Sequence, residues 1–207
     1  GSAPPTSPRG FDSKSPPYGT VEVPLRAAEL CFGARGRFFA RSVASDSAET
    51  VKILKAAYNH KGAAVCEILQ NCMIFNNGAY DPIYTRDGRK KNAIYLEDGK
   101  PLVFGENNEY GLVQEGFGLK VVEIGKDGYT IDNILVHDSH NPDNTLQLKL
   151  AMMDNEHGFP VAFGVFRDVE APTYDQAVND QIEEVKEKKK YHNFTELLET
   201  NDIWEVK

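Results

Sequence analysis

The sequence predicts an α/β fold: a parallel-sheet unit followed by a hairpin-rich α+β segment. Three observations carry this expectation. Residues 21–85 read helix, strand, helix, strand, the order that builds a parallel sheet. Within them Ala63–Gln70 is a short, largely apolar run after a helix stop at Gly62, the pattern of a buried parallel strand. From about residue 92 the texture changes to short alternating runs punctuated by Asp98-Gly99 and Lys126-Asp127-Gly128.

Taken in order, residues 1–20 are dense in Pro, Ser and Gly and predict a loop or linker rather than a regular element. The opening Gly1-Ser2 matches an expression scar. Pro24 and Gly33 bracket a short helix, and Arg37–Val43 reads as a strand. Asp46 with Glu49 three residues on makes a capping box. The helix it opens runs to His60 with Val51, Leu54, Ala57 and Tyr58 on its apolar face, and Lys61-Gly62 closes it. Two parallel strands alone leave apolar faces and open edges, so further strands are expected N-terminal to residue 1.

Beyond residue 92, the runs on either side of Asp98-Gly99 predict a hairpin, and Leu119–Asp138 predicts a second one turning at 126–128. Asn144–His157 reads as a helix and Pro160–Phe166 as a strand. Thr173 with Gln176 caps a final helix running towards Lys190, and Asn193–Lys207 ends the chain in a short amphipathic turn with Trp204. The expected division is a linker at 1–20, an α/β unit at 21–85 and a C-terminal subdomain at 86–207.

Composition narrows the function. The 207 residues, 41% hydrophobic and 26% charged, are ordinary for a globular protein. No apolar run approaches the roughly 18 residues of a membrane span, and no signal peptide opens the chain. A net charge of −8 without a basic stripe argues against a nucleic-acid partner. The basic cluster at 186–190, preceded by Glu183 and Glu184, reads as a solvated helix end. Cys31, Cys66 and Cys72 are odd in number and fit no disulfide framework or CxxC pair, so a reducing, cytoplasmic setting is expected. Cys31 and Cys66 lie in apolar runs and read as small buried hydrophobes. Neither a Walker-type loop nor a GxGxxG fingerprint nor a GxSxG elbow appears.

Cys72 differs. It follows the apolar strand, at the carboxyl end where open α/β sheets place their ligands, and is succeeded by Met73-Ile74-Phe75 and Asn76-Asn77-Gly78. The stretch EILQNCMIFNNGAY at 67–80 resembles the beta subunit of 2-oxoacid:ferredoxin oxidoreductases, the 2-oxoglutarate type above all. FARSVAS, LKAAYNHKG, GVFRDVEAPTYDQ and the closing TNDIWEV are similar to the same subunits, so the resemblance covers nearly the whole chain. It identifies the chain as a C-terminal portion: the end of a thiamine-diphosphate-binding domain followed by the subunit's C-terminal subdomain.

The resemblance implies an oxidative decarboxylation of a 2-oxoacid on thiamine diphosphate and Mg²⁺. Electrons leave through a [4Fe-4S] cluster to ferredoxin, and the acyl group goes to coenzyme A. It makes Cys72 one of four cluster ligands, the other three lying upstream. The loop at 3–7 and 13–20 is similar to the family's loop after its thiamine motif, which implies cofactor contacts at Thr6 and Ser7; Ser2 and Pro4 depart from that pattern. The family's GDG motif is not in this chain, so no catalytic residue is assigned, and the chain alone is expected to be inactive. The implied partners are the alpha subunit, the N-terminal part of the beta subunit, ferredoxin and coenzyme A.

Two other readings stand beside this one. One is a non-catalytic scaffold that kept the fold without the active site. The other is a metal or hydrolytic site at His137, Asp138 and His140, which the sequence reads more simply as a polar Asx-type turn ending a strand. His60 sits at a helix C-terminus, where an imidazole favours the dipole, and His157 and His192 have no evident partners.

Overall fold

The computed structural model describes residues 6–12, 16–74, 76–189, 191, 193–200, 204 and 206. His192, Phe75, Ser2 and Pro4 lie outside the described residues. Two compact units divide the chain, Gly1–Glu170 and Ala171–Lys207.

The first unit begins in the order the sequence predicts, but Ala64–Leu69, expected to be a buried strand, is exposed or half-buried at every position. Helix α1 (Ala27–Gly33) leads into strand β1 (Phe38–Val43), helix α2 (Ser47–Asn59) and strand β2 (Ala64–Leu69). β1 and β2 pair in parallel, Phe38 opposite Ala64 through Val43 opposite Leu69. Asp46 caps α2 by accepting from the Glu49 N–H at 3.2 Å, but the Glu49 Oε1 is buried without a partner, so only half of the capping box forms. His60 is the C-cap of α2, and Gly62 follows at φ 124°.

The rest of the sheet comes from farther along the chain. After short helices α3 (Asp81–Tyr84) and α4 (Arg86–Asn92) comes strand β3 (Ala93–Leu96). Strand β4 (Val103–Phe104), β5 (Tyr110–Glu115) and β6 (Gly118–Glu123) make a second, three-stranded antiparallel sheet in the order β4-β5-β6. Helix α5 (Thr145–Met152) leads to strand β7 (Val161–Asp168). The first sheet runs β2-β1-β7-β3, with β7 antiparallel to β1 and parallel to β3. Segments on both sides of residue 85 therefore share one sheet.

Both expected hairpins are corrected. Residues 97–100 do turn, the Lys100 N–H donating to the Glu97 carbonyl at 3.0 Å, yet β3 pairs with β7 and β4 with β5 rather than with each other. At 126–128 the turn also forms, the Tyr129 N–H donating to the Lys126 carbonyl at 3.0 Å, but a 3-10 turn at Ile131–Asn133 replaces the second strand. The partner of β6 is β5, through a turn at Gly116-Phe117. A register bulge between Phe39 and Ala40 lets β7 sit beside β1. Gly164 of β7 lies at φ 115°, where an added Cβ would stand 2.8 Å from the Leu96 carbonyl oxygen.

The two faces of β1 pack on different helices. Phe39 lies against Phe32 of α1 and Phe166 of β7, with ring centroids 5.5 and 5.4 Å apart, in the main core with Leu112, Leu102 and Leu150. Phe38 and Ala40 pack on Ile53, Ala56 and Ala57 of α2. In the second unit, α6 (Tyr174–Lys188) and α7 (Phe194–Leu198) bury no residue, and Thr173 caps α6 by accepting from the Gln176 N–H at 3.3 Å.

Candidate functional site

Cys72 stands where the sequence places it, in the loop that leaves the carboxyl end of β2. The loop is built from its asparagines. Asn71 Oδ1 accepts from the Gly78 N–H at 2.9 Å, while Asn71 Nδ2 donates to Asn77 Oδ1 at 2.9 Å. The Asn76 N–H donates to the Cys72 carbonyl at 2.9 Å, and the two residues form an isolated antiparallel bridge. These bonds hold residues 71 and 72 against 76–78 in an Asx-held turn, and Cys72 in it is half-buried. The neighbouring Met73 and Ile74 are more than four-fifths exposed.

The other thiols face elsewhere. Burial raises the Cys31 thiol above its ordinary range, against a smaller lowering by Arg167, and its Sγ donates to the Phe38 carbonyl at 3.8 Å. Cys66 packs towards α2, and burial raises its thiol too. Among the described residues no group of three or more His, Cys, Asp or Glu side chains is placed to hold a metal ion. A four-iron cluster takes four thiolates as a rule. The donor set fits one ligand, Cys72, and not a complete site.

Thr6 is exposed, whereas Ser7 is 6% exposed and its Oγ is buried without a hydrogen-bond partner. The strap around them folds on itself. Thr20 donates through Oγ1 to the Pro8 carbonyl at 2.8 Å and accepts at its own carbonyl from the Gly10 N–H at 2.7 Å.

At the opposite end of the sheet the structure settles the histidine stretch as a fastening. Asp138 Oδ1 accepts from the His140 N–H at 3.0 Å, the Asx turn expected there. His137 is fully buried and donates from Nε2 to the Val165 carbonyl at 2.8 Å, leaving Nδ1 without a partner. Burial is the main cause that holds its imidazole below the usual range, so it is neutral at pH 7. His140 donates from Nδ1 to the Asp168 carbonyl at 2.6 Å, and that bond raises its imidazole. Ser139 gives both its N–H and Oγ–H to Asp98 Oδ1, at 2.7 and 2.9 Å. The two imidazoles thus serve separate carbonyls of β7 and do not converge on a metal. His60, at the end of α2, meets the same strand through Asp168 Oδ1 at 2.7 Å, and His157 lies beside Asp154 at 2.5 Å.

Several structurally committed groups escape sequence reading. Arg41 and Glu67 lie opposite in the β1–β2 ladder and pair at 2.5 Å, and Arg41 also donates to the Ala151 carbonyl at 3.1 Å. Buried Arg167 donates to the Asn141 and Pro142 carbonyls and to Gln147 Oε1. Tyr95 donates to Asp46 Oδ2 at 2.7 Å; burial first, and then this bond, raise its phenol to about 12. Their one sequence signal is a charge inside an apolar run, as in FFARSV or VFRDV.

Sequence comparison supplies the class. No family model matches the chain. The chain is a relative of the beta subunits of 2-oxoacid:ferredoxin oxidoreductases, spanning about half the length of the curated subunit it matches over most of its own residues, in keeping with a C-terminal portion. That relative is the 2-oxoglutarate oxidoreductase subunit KorB of Mycobacterium tuberculosis, 37% identical over 178 residues, 86% of this chain and 47% of KorB. The beta subunit of 2-oxoacid:ferredoxin oxidoreductase 1 from Aeropyrum pernix is 36% identical over 98 residues, 47% of this chain and 29% of that subunit. In fold, the chain is similar to a 2-oxoglutarate:ferredoxin oxidoreductase of Magnetococcus marinus, whose structure has 2-oxoglutarate, coenzyme A and succinyl-CoA bound. The TM-score is 0.58 at 17% identity, covering 96% of this chain and 52% of that one.

Proposed function

We propose that the chain serves in the beta subunit of an oxidoreductase that decarboxylates a 2-oxoacid, 2-oxoglutarate by its likeness to the KorB subunit, to the acyl-coenzyme A with reduction of ferredoxin. In balance, one 2-oxoacid, one coenzyme A and two oxidised ferredoxins give acyl-coenzyme A, CO₂, one proton and two reduced ferredoxins. The observation that carries the reading is Cys72, held by an Asn-built turn at the carboxyl end of a parallel strand in a chain related to such subunits.

In this reading Cys72 supplies one thiolate to a [4Fe-4S] cluster, which carries electrons out of the site, and the other ligands come from elsewhere in the subunit. Thiamine diphosphate with Mg²⁺ supplies the decarboxylation chemistry when bound. The unpartnered, buried Ser7 hydroxyl is a hydrogen-bonding group of the kind a phosphate oxygen satisfies, and Thr6 stands beside it. The alpha subunit and ferredoxin are the protein partners. The enzyme works in the cytoplasm, where its thiols stay reduced.

The test is Cys72→Ser in the intact complex. Iron content and cluster absorbance should fall by at least half, with thiamine binding kept within about twofold. A variant with the cluster signal and electron transfer of the parent would refute the ligand assignment. Failure to find iron or thiamine in the parent complex would favour the scaffold alternative.

A further inference from the structure

The turn that carries Cys72 also contains the chain's one Asn-Gly pair, Asn77-Gly78. In an open chain that dipeptide is chemically unstable. The backbone nitrogen that follows an asparagine can attack the side-chain Cγ and close a five-membered ring. Glycine, with no Cβ, leaves that nitrogen unshielded. Here the Gly78 nitrogen would form a bond to Asn77 Cγ while the Cγ–Nδ2 bond breaks. The Gly78 amide proton leaves with the side-chain amide group as ammonia. Water then opens the succinimide at either carbonyl, giving aspartate or isoaspartate. Each event consumes one water and releases one ammonia, with no change of oxidation state.

In the folded turn both reacting groups are tied, and to the same residue. The Gly78 N–H, whose nitrogen has to attack, donates to Asn71 Oδ1 at 2.9 Å. Asn77 Oδ1, on the amide that has to be attacked, accepts from Asn71 Nδ2 at 2.9 Å. Ring closure requires the nitrogen to give up its proton and the amide to swing onto it, so both bonds must break first. Burial gives no protection, because Asn77 is exposed to water and base. A larger residue at 78 would shield the nitrogen, but Gly78 sits at φ 86°, and an added Cβ would stand 3.1 Å from Asp81 Oδ2. The turn therefore demands the labile pair, and Asn71 is the group placed to restrain it.

We propose that Asn77 is a deamidation site held shut by Asn71: the protein keeps an amide at 77 while the turn is closed and acquires a carboxylate there once it opens. A hydrogen bond of this kind shifts an opening equilibrium about fivefold, and the two together about thirtyfold. The change runs one way, since the ammonia is lost. Isoaspartate also adds a backbone carbon between 77 and 78, which moves the Gly78 N–H off Asn71. The turn that presents the Cys72 thiol thus keeps a permanent chemical record of its own opening. The inference stands on the turn alone and does not depend on the chemistry proposed above.

Peptide mapping by mass spectrometry tests this, on the 207-residue chain and on the protein purified from its source, both incubated at pH 8 and 37 °C. The tryptic peptide 62–86 should gain about 1 Da at least tenfold more slowly in the folded protein than in guanidinium chloride, with fragment ions placing the change at 77. Asn71→Ala should raise the folded rate at least fivefold and leave the unfolded rate unchanged. Asn71→Asp keeps an acceptor for the Gly78 N–H and loses the donor to Asn77, so its rate should fall between those of the parent and Asn71→Ala. Where Asn71→Ala does not fold, Asn71→Asp against the parent decides. Equal rates in the folded and unfolded protein, Asn71 variants no faster than the parent, or a mass gain confined to other asparagines would each overturn the inference.

Discussion

At Arg167 one side chain holds a whole segment in place. Its guanidinium donates to the carbonyls of Gly36, Asn141 and Pro142 and to Gln147 Oε1, and Gln147 in turn donates to Asp138, Ser139 and Asn141. Arg167→Met removes charge-assisted bonds and strands the buried Gln147 Oε1, so about 3 kcal/mol of stability should be lost in urea denaturation. A loss under about 1 kcal/mol would show that water replaces those bonds. The strap at 137–140 also titrates in opposite senses. His140, raised by its bond to Asp168, adds stability below about 6.5 that fades as pH rises through its folded value. His137, lowered by burial, adds stability above about 6.5 that fades as pH falls through its folded value. Burial pushes Asp98 up, but the Ser139 hydrogen bonds outweigh it and hold the carboxyl below its usual range, so its contribution is lost in acid. His140→Gln should therefore lower the melting temperature on the acid side of a profile between pH 5 and 9, and flatten the fall as pH rises. Little of this was legible beforehand: the Asx turn at Asp138 is a local signal, whereas the anchors Arg167 and Gln147 are recognisable only once the chain has folded back.

Among the elements, β1, α2 and β2 follow from local pattern, because a capping residue and a glycine stop are each encoded within a few residues; the stripe expected to face the core does not, since Val51, Leu54 and Tyr58 are exposed and α2 packs through Ile53, Ala56 and Ala57. Strand pairing is different. The turn residues Asp98-Gly99 specify a reversal but not which strand becomes the neighbour, and β7 wins β3 through burial of Phe163, Ala162 and Leu96. Phe39, in contact with Phe32 and Phe166 and wholly buried, is the hinge of that packing, and Phe39→Ala should cost about 4 kcal/mol. α6 is the opposite case. It buries no residue, so its stability is that of its own caps and side-chain pairs. Thr173→Ala should lower far-UV helicity, worth about 1 kcal/mol of helix stability, without moving the main melting transition. A shared shift of both signals would show that α6 melts with the rest.

For the whole molecule, the exposed β2 edge and the Val51, Leu54 and Tyr58 stripe make the 207-residue chain prone to self-association. Val65→Lys with Ile68→Lys should raise the concentration at which sedimentation detects oligomers by at least tenfold; an unchanged onset would move the sticky surface elsewhere. The α/β class was readable from the order of patterns, and the union of early and late segments in one sheet was not, since no local residue announces a distant partner. That union has a consequence in time. Phe38 pairs with Asp168, a separation of 168 − 38 = 130 residues. At ribosomal speeds of about 5–20 residues per second, β1 waits roughly 7–26 s for its second neighbour. Through that interval the nascent chain carries β1 with one side open, a demand on chaperones that the finished sheet no longer reveals.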